Sequence, residues 1–214
     1  MLDRASGEHP SRSSPSGRGI PARTDAESYT SHLLASVWWK RLLNAQAPYR
    51  WNLRRLRPGF TLDFGCGVGR NLLHLDGRGV GIDHNLRSVE IARERGLTAF
   101  TPAEFTASPF NAPAAFDSLL LAHVAEHMSD GELIDLLIRY RELVKPGGRV
   151  ILITPQELGF RVEPSHVQFM DFAVLRRVAE QSGLEPEKEY SFPFPRLFGG
   201  VFRYNEFVSV NRKP

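Results

Sequence analysis

Leu62-Asp63-Phe64-Gly65-Cys66-Gly67-Val68-Gly69-Arg70-Asn71-Leu72 is the stretch on which the reading of this chain turns. It reads as a short buried strand, a glycine turn and the start of a helix. Gly65, Gly67 and Gly69 let the backbone turn sharply and approach a ligand that a Cβ would exclude. Arg70 stands where a G-x-G-x-x-G pattern would place its last glycine, and the G-K-[ST] of a phosphate-binding loop is missing. Twenty residues after Asp63, Gly79-Val80-Gly81-Ile82-Asp83 reads as a second strand ending in a carboxylate. A carboxylate there accepts hydrogen bonds from both hydroxyls of a ribose. The two segments together predict a site for a nucleoside-containing cofactor.

Outward from this point, strands and helices alternate. Strands are predicted near 60–65, 79–83, 97–100, 116–122 and 148–154, with helices near 69–75, 86–94 and 130–144. That alternation argues for a parallel sheet covered on both faces. Lys145-Pro146-Gly147-Gly148 is expected to stop the last of these helices and turn into the fifth strand. A helix near 171–182 follows, then two β-rich runs, about 184–193 and 201–211, which pair antiparallel at the sheet edge. On the N-terminal side, Leu33, Leu34, Val37, Trp38 and Leu42 recur at helical spacing. A second short helix, about 47–57, carries Trp51, Leu53 and Leu56. Residues 1–24 are rich in Ser, Pro, Gly and Arg and read as a disordered tail.

Composition narrows the class. The chain has 214 residues, enough for one domain with a full core. Hydrophobic residues are 42% and charged residues 24%, ordinary for a globular protein, and no apolar run is long enough to span a membrane. Cys66 is the single cysteine, so an internal disulfide is excluded and a reducing, cytoplasmic setting is expected. The net charge of +3 permits nucleic acid as a partner without arguing for it. A homodimer is compatible with the sequence.

The motifs occur in order: Asp63 to Gly69, Asp83, Phe116-Asp117-Ser118-Leu119-Leu120-Leu121, Glu126-His127-Met128 and Leu143-Val144-Lys145-Pro146-Gly147-Gly148. Over residues 58–155 this combination resembles class I S-adenosylmethionine-dependent methyltransferases. The resemblance implies a Rossmann-like, doubly wound α/β sheet, mostly parallel with an antiparallel edge strand, in the order 3-2-1-4-5-7-6. It implies a single domain over 25–214. Residues 25–57 would form N-terminal lid helices, 58–155 the cofactor-binding core, and 156–214 the acceptor side. Asp63, Gly65, Cys66, Gly67 and Gly69 would hold the methionine part of S-adenosyl-L-methionine. Asp83 and its neighbour His84 would take the ribose, Ala103 and Glu104 would border the adenine, and Ala122 would face the sulfonium methyl.

Beyond the fourth strand lies His123-Val124-Ala125-Glu126-His127. If this segment is helical, positions i, i+3 and i+4 share a face. A further histidine, His166, arrives after the fifth strand. His123, Glu126, His127 and His166 form a donor set suited to a divalent metal (Mg, Mn or Zn). The spacing is similar to the E-x-x-E-H plus distant His of methyltransferases that modify small-RNA 3′ ends. It is also similar to the E-x-x-E-H segment of ubiquinone-pathway O-methyltransferases. Both groups use a divalent metal, but this chain has His123 where they have Glu, which leaves the metal's identity open. Two other readings stay open: a metal-free general base at His123, His127 or His166, or a purely structural role.

A metal-assisted acceptor is most simply a hydroxyl, because a bound metal lowers the hydroxyl pKa and orients it. The expectation is therefore O-methylation of a small acceptor, sugar-like or diol-bearing, with an oligosaccharide or an RNA terminus as the larger variant. A cofactor-binding scaffold and a nicotinamide oxidoreductase are the alternatives from other classes. Phe160, Phe169, Phe172, Phe192, Phe194 and Phe198 are the candidates for the acceptor wall, with Arg161 or Arg196 to meet an anion.

Overall fold

Leu119, Leu120 and Leu121 are consecutive and all fully buried, as are Val150, Ile151 and Leu152. A strand buries successive side chains on both faces only when each face is covered, the condition of a parallel sheet in an α/β protein. A computed structural model describes residues 46–214 and has this arrangement. The tail read at 1–24 and the helix carrying Leu33 to Leu42 lie outside the described residues.

The described chain opens with helix α1 (Ala47–Arg55), then strand β1 (Thr61–Phe64), helix α2 (Arg70–His74) and strand β2 (Gly79–Ile82). Helix α3 (Leu86–Glu94), strand β3 (Ala99–Phe100), helix α4 (Pro102–Thr106) and strand β4 (Phe116–Ala122) follow. After a short 3-10 turn (Ala125–His127) come helix α5 (Asp130–Arg141), strand β5 (Val144–Pro155) and helix α6 (Glu157–Arg161). Helix α7 (Phe172–Gln181), strand β6 (Glu185–Phe192), a second 3-10 turn (Arg196–Gly200) and strand β7 (Glu206–Arg212) complete it. The seven strands form one sheet in the order β3-β2-β1-β4-β5-β7-β6. The pairs from β3 to β5 are parallel, and β7 runs antiparallel to both β5 and β6. The topology expected from the sequence is the one observed.

Alternation along the strands sorts the core into two layers. Leu62, Val80, Leu119, Leu121, Val150 and Leu152 pack with Leu133 and Leu137 of α5 and with Leu175 and Val178 of α7. On the other face Leu120, Ile151, Ile153, Val208 and Val210 pack with Leu53 and Leu56 of α1. Each fully buried side chain of this size contributes about 1.5–3 kcal/mol relative to exposure. Helix starts follow the local chemistry. Asn85 caps α3, Asp171 caps α7, and Ser129 caps α5 in a box closed by Glu132.

One boundary differs from expectation. The segment Lys145–Gly148 does not precede β5 but lies inside it. Val144 pairs with Phe116, and the ladder resumes only at Arg149 opposite Ser118. The intervening residues bulge out, with Gly147 at φ 74° and Lys145 held by Asp117 at 2.6 Å. The proline breaks the ladder without ending the strand, so helix α5 stops at Arg141, earlier than residue 144.

Gly79 faces the Thr61 carbonyl oxygen so closely that a Cβ would overlap it, with Leu72 Cδ2 at 3.0 Å on the other side. Backbone cannot rotate away as a side chain can. Gly79→Ala is therefore expected to destabilise the fold by about 1–3 kcal/mol or more, read as a lowered denaturation midpoint in urea.

Candidate functional site

The site is built where the parallel strands end. Gly65 and Cys66 both donate their N–H groups to the Ile82 carbonyl, at 2.8 and 3.0 Å, so the glycine turn hangs from β2. Gly67 has φ 52°, and a Cβ there would meet nothing within 4 Å. It is thus the point at which the loop lies bare. Gly65, at φ 73°, has no such room, since a Cβ would strike Val124. The two glycines serve different purposes: one leaves the backbone open and the other lets the loop lie against the end of β4.

Asp63 is completely buried at the third position of β1. Its Oδ1 accepts from Asn71 Nδ2 at 3.3 Å, while Oδ2 has no hydrogen-bond partner. Burial pushes the Asp63 carboxyl up to about 7, against the opposing pull of Asn71 and Arg70. Asp83 is better satisfied. Its Oδ2 accepts from Gly67 N at 2.7 Å and its Oδ1 from Asn85 N at 2.9 Å, so each oxygen keeps one lone pair. His84 is exposed, with Nδ1 3.8 Å from Asp83 Oδ1. Cys66 turns inward beside Leu72 and Ala99, and burial, with Asp63 and Asp83 nearby, pushes its thiol well up. It is a core residue of the turn rather than a reactive thiol.

Ala103 and Glu104 lie exposed on α4. The Glu104 Oε2 accepts from Thr101 N at 2.7 Å, Thr101 Oγ1 at 2.9 Å and Arg93 at 2.8 Å. Those hydrogen bonds, led by the Thr101 amide, hold its carboxyl down at about 2. The carboxylate closes a capping box, and Thr-x-x-Glu at 101–104 is the sequence signal for it. Any contact of this segment with a cofactor falls to Ala103 and the backbone, or to Glu104 Oε1.

The end of β4 carries the polar cluster. Ala125–His127 forms a short 3-10 turn, not the α-helix assumed in the spacing argument. His123 precedes it in the left-handed region, φ 60°, with its N–H on the Ile153 carbonyl at 2.9 Å. A non-glycine residue held there is strained backbone, which clusters at functional positions. The His123 ring lies between two carboxylates. Nε2 is 2.9 Å from Glu206 Oε1 and Nδ1 is 3.3 Å from Glu126 Oε1. Burial opposes its charge, but the neighbouring carboxylates of Glu126 and Glu206 outweigh that and hold the ring up at about 10.

Glu126, His127 and His166 converge separately. Each offers a ligand atom, and these atoms lie within 4.8 Å of one another. Glu126 is completely buried, and apart from the ion pair of Oε1 with the His123 ring at 3.3 Å its carboxylate oxygens meet no hydrogen-bond partner. The His127 Nδ1 lies 3.1 Å from the Ser165 carbonyl, and the His166 Nδ1 lies 2.9 Å from the Phe160 carbonyl. A ring nitrogen facing a carbonyl must carry the proton, which leaves Nε2 of each ring as a lone pair. The His166 Nε2 faces Glu126 Oε1 at 3.9 Å, and burial lowers the pKa of this histidine. Carbonyl-anchored imidazoles beside a buried carboxylate are a donor set that could hold a divalent ion. The sequence grouping of four therefore divides. Glu126, His127 and His166 bring their ligand atoms together, while His123 lies between Glu126 and Glu206.

A cavity of about 620 Å³ adjoins Ala122 and His123. Its walls include Tyr49 and Leu53 of α1, Ile153 of β5, and Phe194, Phe202 and Tyr204 from the segment between β6 and β7. Asn71 lines it too, and so stands between the cavity and Asp63. Of the phenylalanines expected in the acceptor wall, Phe194 is there and Phe198 packs on it. Phe160 instead stacks on His166, Phe169 and Phe172 pack edge-on against Phe207, and Phe192 belongs to the core. Arg196 is paired with Glu157. Glu206 was not legible in the sequence. It lies 83 residues from His123, and only the β5–β7 pairing, with Glu206 opposite Pro155, brings it to the site.

Known proteins share this architecture. Residues 62–152 match the methyltransferase domain family. An uncharacterized methyltransferase of Bacillus cytotoxicus is 31% identical over 96 residues, 44% of this chain and 45% of that protein. The chain thus spans about half the length of the curated relatives it matches. A SAM-dependent methyltransferase from Archaeoglobus fulgidus superposes with a TM-score of 0.57 at 18% identity, covering 77% of this chain and 93% of that one. A TehB-like SAM-dependent methyltransferase from Corynebacterium glutamicum gives 0.60 at 19% identity, covering 88% and 100%. The putative methyltransferase seen in complex with the Trm112 methyltransferase activator of Haloferax volcanii gives 0.66 at 17% identity, covering 92% and 100%. At these identities the structural likeness speaks for the fold, and the matched segment speaks for a methyltransferase domain over residues 62–152. In fold and in that segment the chain is similar to the class I S-adenosylmethionine-dependent methyltransferases.

Proposed function

We propose that this chain transfers a methyl group from S-adenosylmethionine to a hydroxyl of a small acceptor seated in the cavity beside Ala122 and His123. The observation that carries this reading is the place of Asn71, which hydrogen-bonds Asp63 on one side and lines the cavity on the other. Cofactor side and acceptor side are then one residue apart. Of the 25–57 segment expected as the lid part, residues 46–57 are described; 58–155 serve as the cofactor core and 156–214 as the acceptor side. In support, α1 and the segment between β6 and β7 both line the cavity.

Asp63 Oδ2 is an acceptor with no donor, and a buried anion of this kind costs several kcal/mol. The ammonium of a bound methionine moiety relieves that cost. Asp83 accepts ribose hydroxyls with the lone pairs not used by Gly67 and Asn85. The cofactor, when bound, supplies a methyl already activated on sulfonium, so the protein's task is to position the acceptor and exclude water. His123, held between Glu126 and Glu206, fixes the end of β4 at the cavity wall.

A second reading is favoured by the buried carboxylate of Glu126, whose one close ionic neighbour among the described residues is His123. Glu126, His127 and His166 would hold a divalent ion, which supplies positive charge to Glu126 and pins residues 165–168 against the 3-10 turn. None of the three lines the cavity. The ion is therefore assigned to organising the site, not to binding the acceptor hydroxyl as the sequence spacing had suggested.

Calorimetry is expected to show binding of S-adenosylmethionine and S-adenosylhomocysteine; selective binding of NAD(P) would sink the cofactor assignment. Asp63→Asn is expected to pull in two directions. Because burial raises the folded carboxyl above 3.8, the ligand-free fold binds a proton that the unfolded chain releases. Its stability from this group is greatest below about pH 4 and is lost as pH rises to about 7. At pH 8 the Asn variant should therefore gain about 1–3 kcal/mol of ligand-free stability in denaturant titrations, while binding the cofactor more weakly. Equal cofactor affinity in the variant would remove Asp63 from the site. For the ion, titration of the dialysed protein with Zn²⁺ and Mn²⁺ should show one site, weakened by about tenfold or more in Glu126→Gln. No saturable binding of either ion leaves the cluster structural.

A further inference from the structure

The cavity's chemistry specifies more than its volume. Phe202 meets Phe194 edge-on, with ring centroids 4.9 Å apart, and Tyr204 at 5.9 Å. Leu53 and Ile153 add aliphatic surface, and Tyr49 closes the side next to α1. Several polar side chains among these walls are committed elsewhere. Asn52 Oδ1 accepts from Tyr190 at 2.8 Å, and Asn71 donates to Asp63. Asn205 donates to Gln156 Oε1 at 2.8 Å while its own oxygen accepts from Phe194 N at 2.9 Å. The Tyr49 hydroxyl donates to the Tyr204 carbonyl at 2.7 Å.

Arg70, His74 and Arg203 line the cavity as well, and among its described lining residues Glu206 is the one acid. It lines the cavity and is 8% exposed, and its Oε1 is engaged with His123. Among the described residues, no hydrogen bond reaches its Oε2. A buried carboxylate oxygen next to the end of β4 is thus ready to accept one hydrogen bond from whatever the cavity holds. A sugar would set several hydroxyls against the aromatic part of these walls, Phe194, Phe202 and Tyr204, and each hydroxyl left unpaired there costs about 1–3 kcal/mol. A flat aromatic ring meets the same walls through face and edge contacts worth about 0.5–1.5 kcal/mol each.

We infer that the cavity takes a planar aromatic acceptor carrying a hydroxyl, with that hydroxyl donating to Glu206 Oε2 and the ring lying among Phe194, Phe202 and Tyr204. The inference rests on the methyl-transfer reading above and replaces the sugar-like acceptor expected from the sequence. Glu206 then orients the acceptor directly, and His123 acts as the positioning residue that fixes Glu206.

Protein saturated with S-adenosylhomocysteine is titrated by calorimetry with 2-naphthol, 2-methoxynaphthalene and methyl β-D-glucopyranoside. The naphthol is expected to bind about fivefold or more tightly than its methyl ether, with the glucoside weakest. In Glu206→Gln the preference for hydroxyl over ether should disappear while S-adenosylhomocysteine affinity is retained. In Phe202→Leu both naphthalenes should weaken by about threefold or more with the hydroxyl preference intact. Tighter binding of the glucoside than of naphthol, or an unchanged hydroxyl preference in Glu206→Gln, overturns the inference. Failure to bind S-adenosylhomocysteine at all would defeat the methyl-transfer reading, whereas cofactor binding with no naphthol binding defeats the acceptor class alone.

Discussion

The carbonyl of Ile82 accepts two N–H groups, those of Gly65 and Cys66, and the rest of the site depends on that shared acceptor. It ties the turn after β1 to the last residue of β2. Gly67 is thereby brought to Asp83, and the bare backbone of the loop is set at the mouth of the crevice. Asp63, one residue short of the end of β1, is buried beneath the same turn. Its unpaired oxygen is a direct consequence, because the turn that shapes the crevice also keeps water from the carboxylate. Pre-formed polar sites of this kind are held against their own cost by the surrounding fold. Here that fold is the double-layered sheet, whose apolar faces are complete without the site.

The same trade appears at the end of β4 in a different form. Glu126 is buried without a hydrogen bond, and His123 answers its charge from a strained backbone position. The ring spans from Glu126 to Glu206, so it links the 3-10 turn with the first residue of β7. Removing either carboxylate would leave the other paired to a cation in a partly buried setting. The three groups therefore behave as a unit, and single substitutions among them should not be additive.

Local patterns carried most of the fold. Runs such as Leu119–Ala122 show their strand character in unbroken apolar residues, and the glycine turn marks the first strand–helix junction. The spacing of Asp63 and Asp83 was legible for a similar reason, since both close parallel strands and parallel strands end together. The errors arose where geometry depends on distant partners. Lys145–Gly148 looks like a stop, but its neighbours in β4 and at Lys213 carry it through as a bulge. His123, Glu126 and His127 looked like one helical face, but a tight 3-10 turn sends His123 toward Glu206 and the others toward His166. Which of the candidate phenylalanines wall the cavity could not be read, because composition does not say which side of a two-layered sheet a ring will fill. Glu206 carried no local signal at all.

Strand β2 reads Gly-Val-Gly-Ile, so one face of it has no side chains. Cys66 and Leu72 lie in the space this leaves, and a Cβ on Gly81 would sit 2.5 Å from the Cys66 sulfur. The seat of the glycine loop is therefore made from missing atoms. Such a seat has almost no neighbouring sequences that work: any addition fills it, and nothing remains to be trimmed. The cavity beside His123 is made instead from side chains on α1 and on the segment between β6 and β7, each of which can be exchanged for another. The two halves of the site are thus open to change at very different rates. Descendants of this chain can explore new acceptors while the half that receives the cofactor stays as it is.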